Sequence, residues 1–77
     1  MEQVFFAAAP CGTQTIRYYL LEEESEYGLL VTMGEEETAV HALTPARSRA
    51  QALLERMARG TVTPIAVRDV VDDWLLE

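Results

Sequence analysis

Asp69, Asp72 and Asp73 crowd the segment RDVVDDWLLE, residues 68–77, beside the only tryptophan of the chain. Carboxylates this close can share a proton in acid/base catalysis or bind a hard cation, and each chemistry has a structural requirement. Acid/base work needs enclosure that drives two pKa values apart, and a cation needs further oxygen ligands converging from other elements. At about 100° per residue, Val67, Val70, Val71, Trp74 and Leu75 gather into an arc of about 140°, and the aspartates fall on the other side. They read as a solvated face, with Arg68 placed for an i,i+4 ion pair to Asp72. Asp69, Asp72, Asp73 and Glu77 nonetheless load the C-terminal half of a helix, where negative charge opposes the macrodipole. Compensation is expected from arginines of the preceding helix or of a partner chain, which makes Asp69 and Asp73 candidate partner-binding residues.

The remaining chemical groups are sparse. Cys11 is the only cysteine, so it has no internal disulfide partner and no second thiol for zinc. His41 is the only histidine, expected on a strand between Val40 and Ala42, and neither residue sits in a nucleophile elbow or at a helix start that would activate a Cys–His pair. The runs EEESE and GEEE place glutamates at turns without the alternating ligands and glycine of a calcium loop. Phosphate-cradling glycine loops and paired-histidine motifs do not occur. The sequence therefore gives no catalytic residue, no cofactor and no metal site. Arg49, Arg56 and Arg59 share one flank of a helix and form the candidate contact for a protein partner or, as an alternative, for nucleic acid. A net charge of −7 disfavours the nucleic-acid alternative.

These residues have to be positioned by a single small domain. A chain of 77 residues can build one core, and at this size it gains from association with a second copy. Its 49% apolar and 25% charged content is that of a folding chain. The longest apolar run, FFAAAP, is too short to span a bilayer, and no basic segment precedes an apolar run with a cleavage site, so a cytoplasmic location without membrane contact is expected.

Strands are expected at about 3–9, 13–23, 28–34 and 37–43 and helices at about 45–59 and 64–76, from the period of the apolar residues. Pro10 and Gly12 form the first turn, and the glycine of ESEYG suits the second. Ile16, Tyr18 and Leu20 share a phase with Leu29, Val31 and Met33 across that hairpin. TPARSRAQALLERMARG opens the first helix with Thr44 as cap and Pro45 at the first helical position, and Gly60 ends it as a left-handed cap. Thr63 and Pro64 repeat the device for the second helix, with Val62 placed to staple against Val67.

YY, YG, LTP and above all VTPIAVRDVVDDWL make the chain from about Tyr18 to Leu75 resemble a family of small uncharacterised proteins from Clostridia-type Gram-positive bacteria. Val62, Thr63, Pro64, Arg68, Asp69, Val70, Val71 and Asp73 carry the likeness, and the N-terminal segment through Gly12 lies outside it. The resemblance implies a bacterial cytoplasmic protein and brings no functional residue with it.

The expected fold is α+β: an antiparallel meander of three or four strands, with a C-terminal two-helix hairpin packed on one face. The helices cover one face only. Tyr19, Leu21, Leu30 and Thr32 point to the other, apolar enough to bury against a second copy. The expected function is a non-enzymatic interaction or regulatory module, homodimeric through that face or a strand edge and able to bind another protein; the alternative is a nucleic-acid-associated regulator using the arginine helix.

Overall fold

The computed structural model describes residues 2–77. Four strands, β1 (Glu2–Cys11), β2 (Gln14–Glu22), β3 (Tyr27–Met33) and β4 (Glu36–Thr44), form one antiparallel sheet in the order β1-β2-β3-β4. Two helices follow, α1 (Arg47–Arg59) and α2 (Val67–Leu75), the second entered through a 3₁₀ turn at Pro64–Ala66. The α+β meander with its helices at the C-terminal side is the architecture expected from the sequence.

Turn chemistry sets the register. Gly12 and Gly34 take φ of 61° and 62° at the first of the two loop residues between β1 and β2 and between β3 and β4. A left-handed glycine there makes the two-residue turn whose twist matches the strands it joins. The β2–β3 connection is longer, residues 23–26, closed by Glu23 N–H donating to the Glu26 carbonyl at 3.0 Å. Gly28, expected to serve that loop, lies inside β3 and has a different task described below.

Alternation then sorts the side chains. Ile16, Tyr18, Leu20, Leu29 and Val31 point to one face and are fully or almost fully buried beneath Leu53, Leu54, Met57, Val67 and Trp74 of the helices. The fully buried Tyr18 donates its hydroxyl to the Val62 carbonyl at 2.8 Å, and Thr38 Oγ1 donates to the Pro64 carbonyl at 2.8 Å. The link between the helices is thus tied to β2 and β4, and the Val62 and Pro64 carbonyls beneath it each have a hydroxyl donor. Burial pushes the Tyr18 hydroxyl pKa above its ordinary value, with Cys11 nearby acting in the same direction.

The helix ends depart from the sequence expectation in three places. Thr44 Oγ1 accepts from Ala46 N–H at 3.2 Å in a tight side-chain turn, and Ala46, extended at φ −99° and ψ 110°, is the residue that precedes α1. Pro45 is therefore outside the helix. Pro64 does stand at the first helical position after Thr63, but Thr63 makes no side-chain cap bond, and the turn it opens is 3₁₀, with Ala66 N–H bonded to the Thr63 carbonyl at 3.0 Å. Gly60 has φ −86°, and the left-handed residue is Thr61 at φ 52°. Thr61 N–H bonds to the Ala58 carbonyl and Val62 N–H to the Met57 carbonyl, the paired bonds of a Schellman ending.

A β-branched residue in this region carries strain of about 1–2 kcal/mol. Thr61→Gly is accordingly expected to stabilise the domain by about 1 kcal/mol, raising the melting temperature by about 4–8 °C. Thermal unfolding followed by circular dichroism checks this; an unchanged or lowered midpoint would show that the strain is relieved elsewhere.

Candidate functional site

The face of the sheet opposite the helices carries the largest uncovered pattern. Cross-strand pairing places Phe5, Tyr19, Leu30 and Ala39 in one row across all four strands. Phe5 is 56% exposed, its ring set edge-on to Tyr19 with centroids 5.7 Å apart. Tyr19, Leu30 and Ala39 are half-buried. The row below it, towards the two-residue turns, is Ala8, Arg17, Thr32 and Glu37. Arg17 and Glu37 are exposed, and neither forms an ion pair among the described residues.

Two irregularities of the sheet shape this face. In β1 the register shifts between Phe5 and Ala7, so that Phe5 faces Tyr19 on the open side, while the extra residue, Phe6, packs against the core. In β4 residues 41–43 stand opposite Gly28 alone, because Leu29 pairs with Val40 and Tyr27 with Thr44. Ala42 in this bulge has φ 52°. The backbone of the bulge lies directly over Gly28: a Cβ there would fall inside contact distance of the Val40 carbonyl oxygen and 3.1 Å from the His41 Cα. Gly28 pairs with Leu21, and Leu21 is only 2% exposed. Of the expected open-face residues, Tyr19, Leu30 and Thr32 offer surface to a partner, whereas Leu21 is already enclosed at the bulged end.

The bulge is held by one side chain. Glu23 accepts from Ala42 N–H at 2.8 Å through Oε1, and its Oε2 lies 3.3 Å from His41 Nδ1. The Ala42 hydrogen bond, with a smaller contribution from His41, holds the Glu23 carboxyl below the ordinary value of 4.5. Because this folded-state pKa is depressed, the clasp is complete above the unfolded value and is lost as pH falls through the folded one. The Ala42 amide proton is expected to titrate by NMR with a midpoint below 4.5, and in Glu23→Gln that titration should vanish. A midpoint at or above the ordinary value would contradict the clasp.

The chemical candidates are dispersed. Cys11 ends the edge strand β1 beside the first turn, and His41 lies on the opposite edge strand and towards the opposite end of the sheet, so they form no dyad. Among the described residues no three of the His, Cys, Asp and Glu side chains converge to hold a metal ion. An open hollow of about 520 Å³ lies at the β3–β4 turn beside the start of β2 and is lined by residues such as Gln14, Arg17, Met33 and Glu35.

All four arginines of the first helix are engaged within the chain. Arg47 pairs with Glu22 at 2.7 Å, Arg56 with Glu77 at 3.0 Å, and Arg59 with Glu55 one turn away. Arg49 stacks over the Trp74 ring, 4.6 Å from its centroid. Arg56 thus reaches Glu77, which lies beyond the end of α2, and Asp69, expected in the C-terminal half of the helix, stands in the first turn of α2, where negative charge suits the dipole. Asp69, Asp72 and Asp73 are exposed with no ion pair among the described residues, and Arg68 does not reach Asp72.

The model of a family of unknown function, DUF6514, matches residues 3–77. The chain belongs to this family. The DUF6514 match takes in β1, which the likeness seen in the sequence had left aside. No curated protein and no solved structure matched. No helix is long and apolar enough to cross a membrane among the described residues.

The sequence reading missed Phe5, Arg17, Ala39 and Glu37 on the open face. Two-residue turns fix pairing by counting, so Ala39 opposite Leu30 and Glu37 opposite Thr32 follow from the turn at Gly34 and Glu35. Phe5 does not, since counting from Gly12 without the bulge would set Phe6 against Tyr19.

Proposed function

We propose that this chain is a non-enzymatic interaction module that homodimerises through the open face of its sheet. The observation supporting this is the apolar row Phe5, Tyr19, Leu30 and Ala39, one residue exposed and three half-buried, which runs across every strand and has no covering element. In small sheets with one helical layer the second face is either polar and solvated or covered by a partner, and this row is not polar. The dispersal of Cys11, His41 and the aspartates favours binding over catalysis. The engagement of Arg47, Arg49, Arg56 and Arg59 within the chain weighs against the nucleic-acid alternative, because few guanidinium groups remain to neutralise phosphates. The exposed Asp69 and Asp73 are the surface we assign to a second, basic protein partner. On this reading the protein works in the cytoplasm of a Clostridia-type bacterium, where a lone thiol such as Cys11 stays reduced.

Light scattering tests the dimer. The chain should show twice its 8.6 kDa mass at high micromolar concentration, and Leu30→Glu should return it to the monomer with its circular dichroism unchanged. A monomer mass for the unaltered chain across that range would remove the proposal.

A further inference from the structure

The two rows of the open face carry enough information to orient a second copy. We propose that two chains pack open face to open face about a two-fold axis running along β3, so that Arg17 of each pairs with Glu37 of the other; this rests on the dimer reading above.

The geometry follows from the register. Arg17 lies on β2 and Glu37 on β4, in the same row, with Thr32 of β3 midway between them. Rotation about an axis along β3 exchanges the two sides and keeps each row at its own level. Arg17 then faces Glu37 of the second copy and Glu37 faces its Arg17, two equivalent ion pairs from one contact, as an isologous interface requires. In the neighbouring row the same operation sets Tyr19 against Ala39 of the second copy, large against small, and Leu30 against Leu30. Packed sheets lie about 10 Å apart, a gap that an arginine and a glutamate reaching from opposite sides can close.

The other way of aligning two sheets fails on charge. An axis running across the strands through the charged row would oppose Arg17 to Arg17 and Glu37 to Glu37. Moved to the apolar row, it would set Arg17 against the level of Leu21 and leave the guanidinium without a carboxylate. Only the axis along β3 satisfies both charges, and both lack ion-pair partners within the chain among the described residues. At −7 per chain, two copies repel at long range, so the opposed pairs also select one register among those the apolar row alone would permit.

The β4 bulge closes one end of the face, so the flat contact is on the order of 400 Å² per copy, at the low end for specific interfaces. Association in the micromolar range is the corresponding expectation.

Sedimentation equilibrium on four chains decides the matter: unaltered, Arg17→Glu, Glu37→Arg, and the double variant Arg17→Glu with Glu37→Arg. Each single charge reversal creates two like-charge contacts per dimer and should weaken association at least tenfold, while the double variant should recover most of the loss. Glu37→Gln, which removes the attraction without adding repulsion, should fall between the unaltered chain and Glu37→Arg. An unaltered chain that is monomeric throughout overturns the dimer reading together with this one. A dimer that ignores both single reversals, or that the double variant fails to restore, overturns the axis along β3 and leaves the dimer standing in another arrangement.

Discussion

Gly28→Ala is expected to destabilise the domain by about 3 kcal/mol or more, lowering its melting temperature by about 12 °C or more. The added methyl group would meet the Val40 carbonyl oxygen and the His41 Cα, both backbone atoms, so no side-chain rotation can relieve the overlap. Either β3 separates from the β4 bulge, breaking the Ala42–Glu23 bond, or the bulge is expelled and β4 loses its pairing at Thr44. For a chain of this size, total stability is about 4–12 kcal/mol, so the variant should be partly unfolded at 37 °C or close to it. Urea denaturation followed by far-ultraviolet circular dichroism measures the loss. A change below about 1 kcal/mol would mean that the bulge is soft and that Gly28 is not what permits it. Gly60→Ala provides the contrast: its added carbon would meet the nearest atom at 3.4 Å, an ordinary contact, and φ there is negative.

Trp74→Ala should cost a comparable amount, about 3–5 kcal/mol. Trp74 is the largest residue that α2 contributes to the core, 6% exposed among Val67, Val71 and the helix-facing residues of the sheet. Its ring also supports the Arg49 guanidinium. The two roles separate by experiment, because Arg49→Ala removes the cation alone and should cost only about 0.5–1 kcal/mol at this exposed site. In the Trp74→Ala background the Arg49 substitution should add little, giving a coupling close to the Arg49 effect itself. Chemical denaturation of the four chains supplies the cycle, and full additivity would show that the stacked pair contributes nothing.

The parts of the fold visible in the sequence were those governed by local rules. Alternation in TIRYYLLE and GLLVTM placed Ile16, Tyr18 and Leu20 with Leu29 and Val31 on one face, and the structure buries them together. In the first helix Ala50, Leu53, Leu54 and Met57 recur at the helical period, and each of these residues is fully buried. Positions where tertiary contact overrides local preference were not. Local preference favours Gly60 as the left-handed residue because glycine is the cheapest occupant, yet the Schellman bonds fall one residue later, at Thr61. Gly28 has the sequence context of a turn residue, whereas what requires it is the backbone of another strand arriving overhead. His41 fits regular alternation by its neighbours Val40 and Ala42, but a bulge gives no sequence signal beyond the glycine opposite it. Much the same holds for the candidate site. Tyr19, Leu30 and Thr32 followed from period-2 patterning, while Arg17 and Glu37 became a pair only once two hairpin registers were combined.

Chain order has its own effect on how this molecule comes into being. The four strands neighbour one another in sequence, so a ribosome releases a complete meander before any of α1 or α2 is free to move. Until then Ile16, Tyr18, Leu20, Leu29 and Val31 have nothing above them, and the nascent sheet is greasy on both sides at once. Arrival of the helices quenches one side within a single chain. The other keeps its row of Phe5, Tyr19, Leu30 and Ala39 uncovered, and glutamates at the hairpin ends disfavour edge-to-edge joining of such sheets meanwhile.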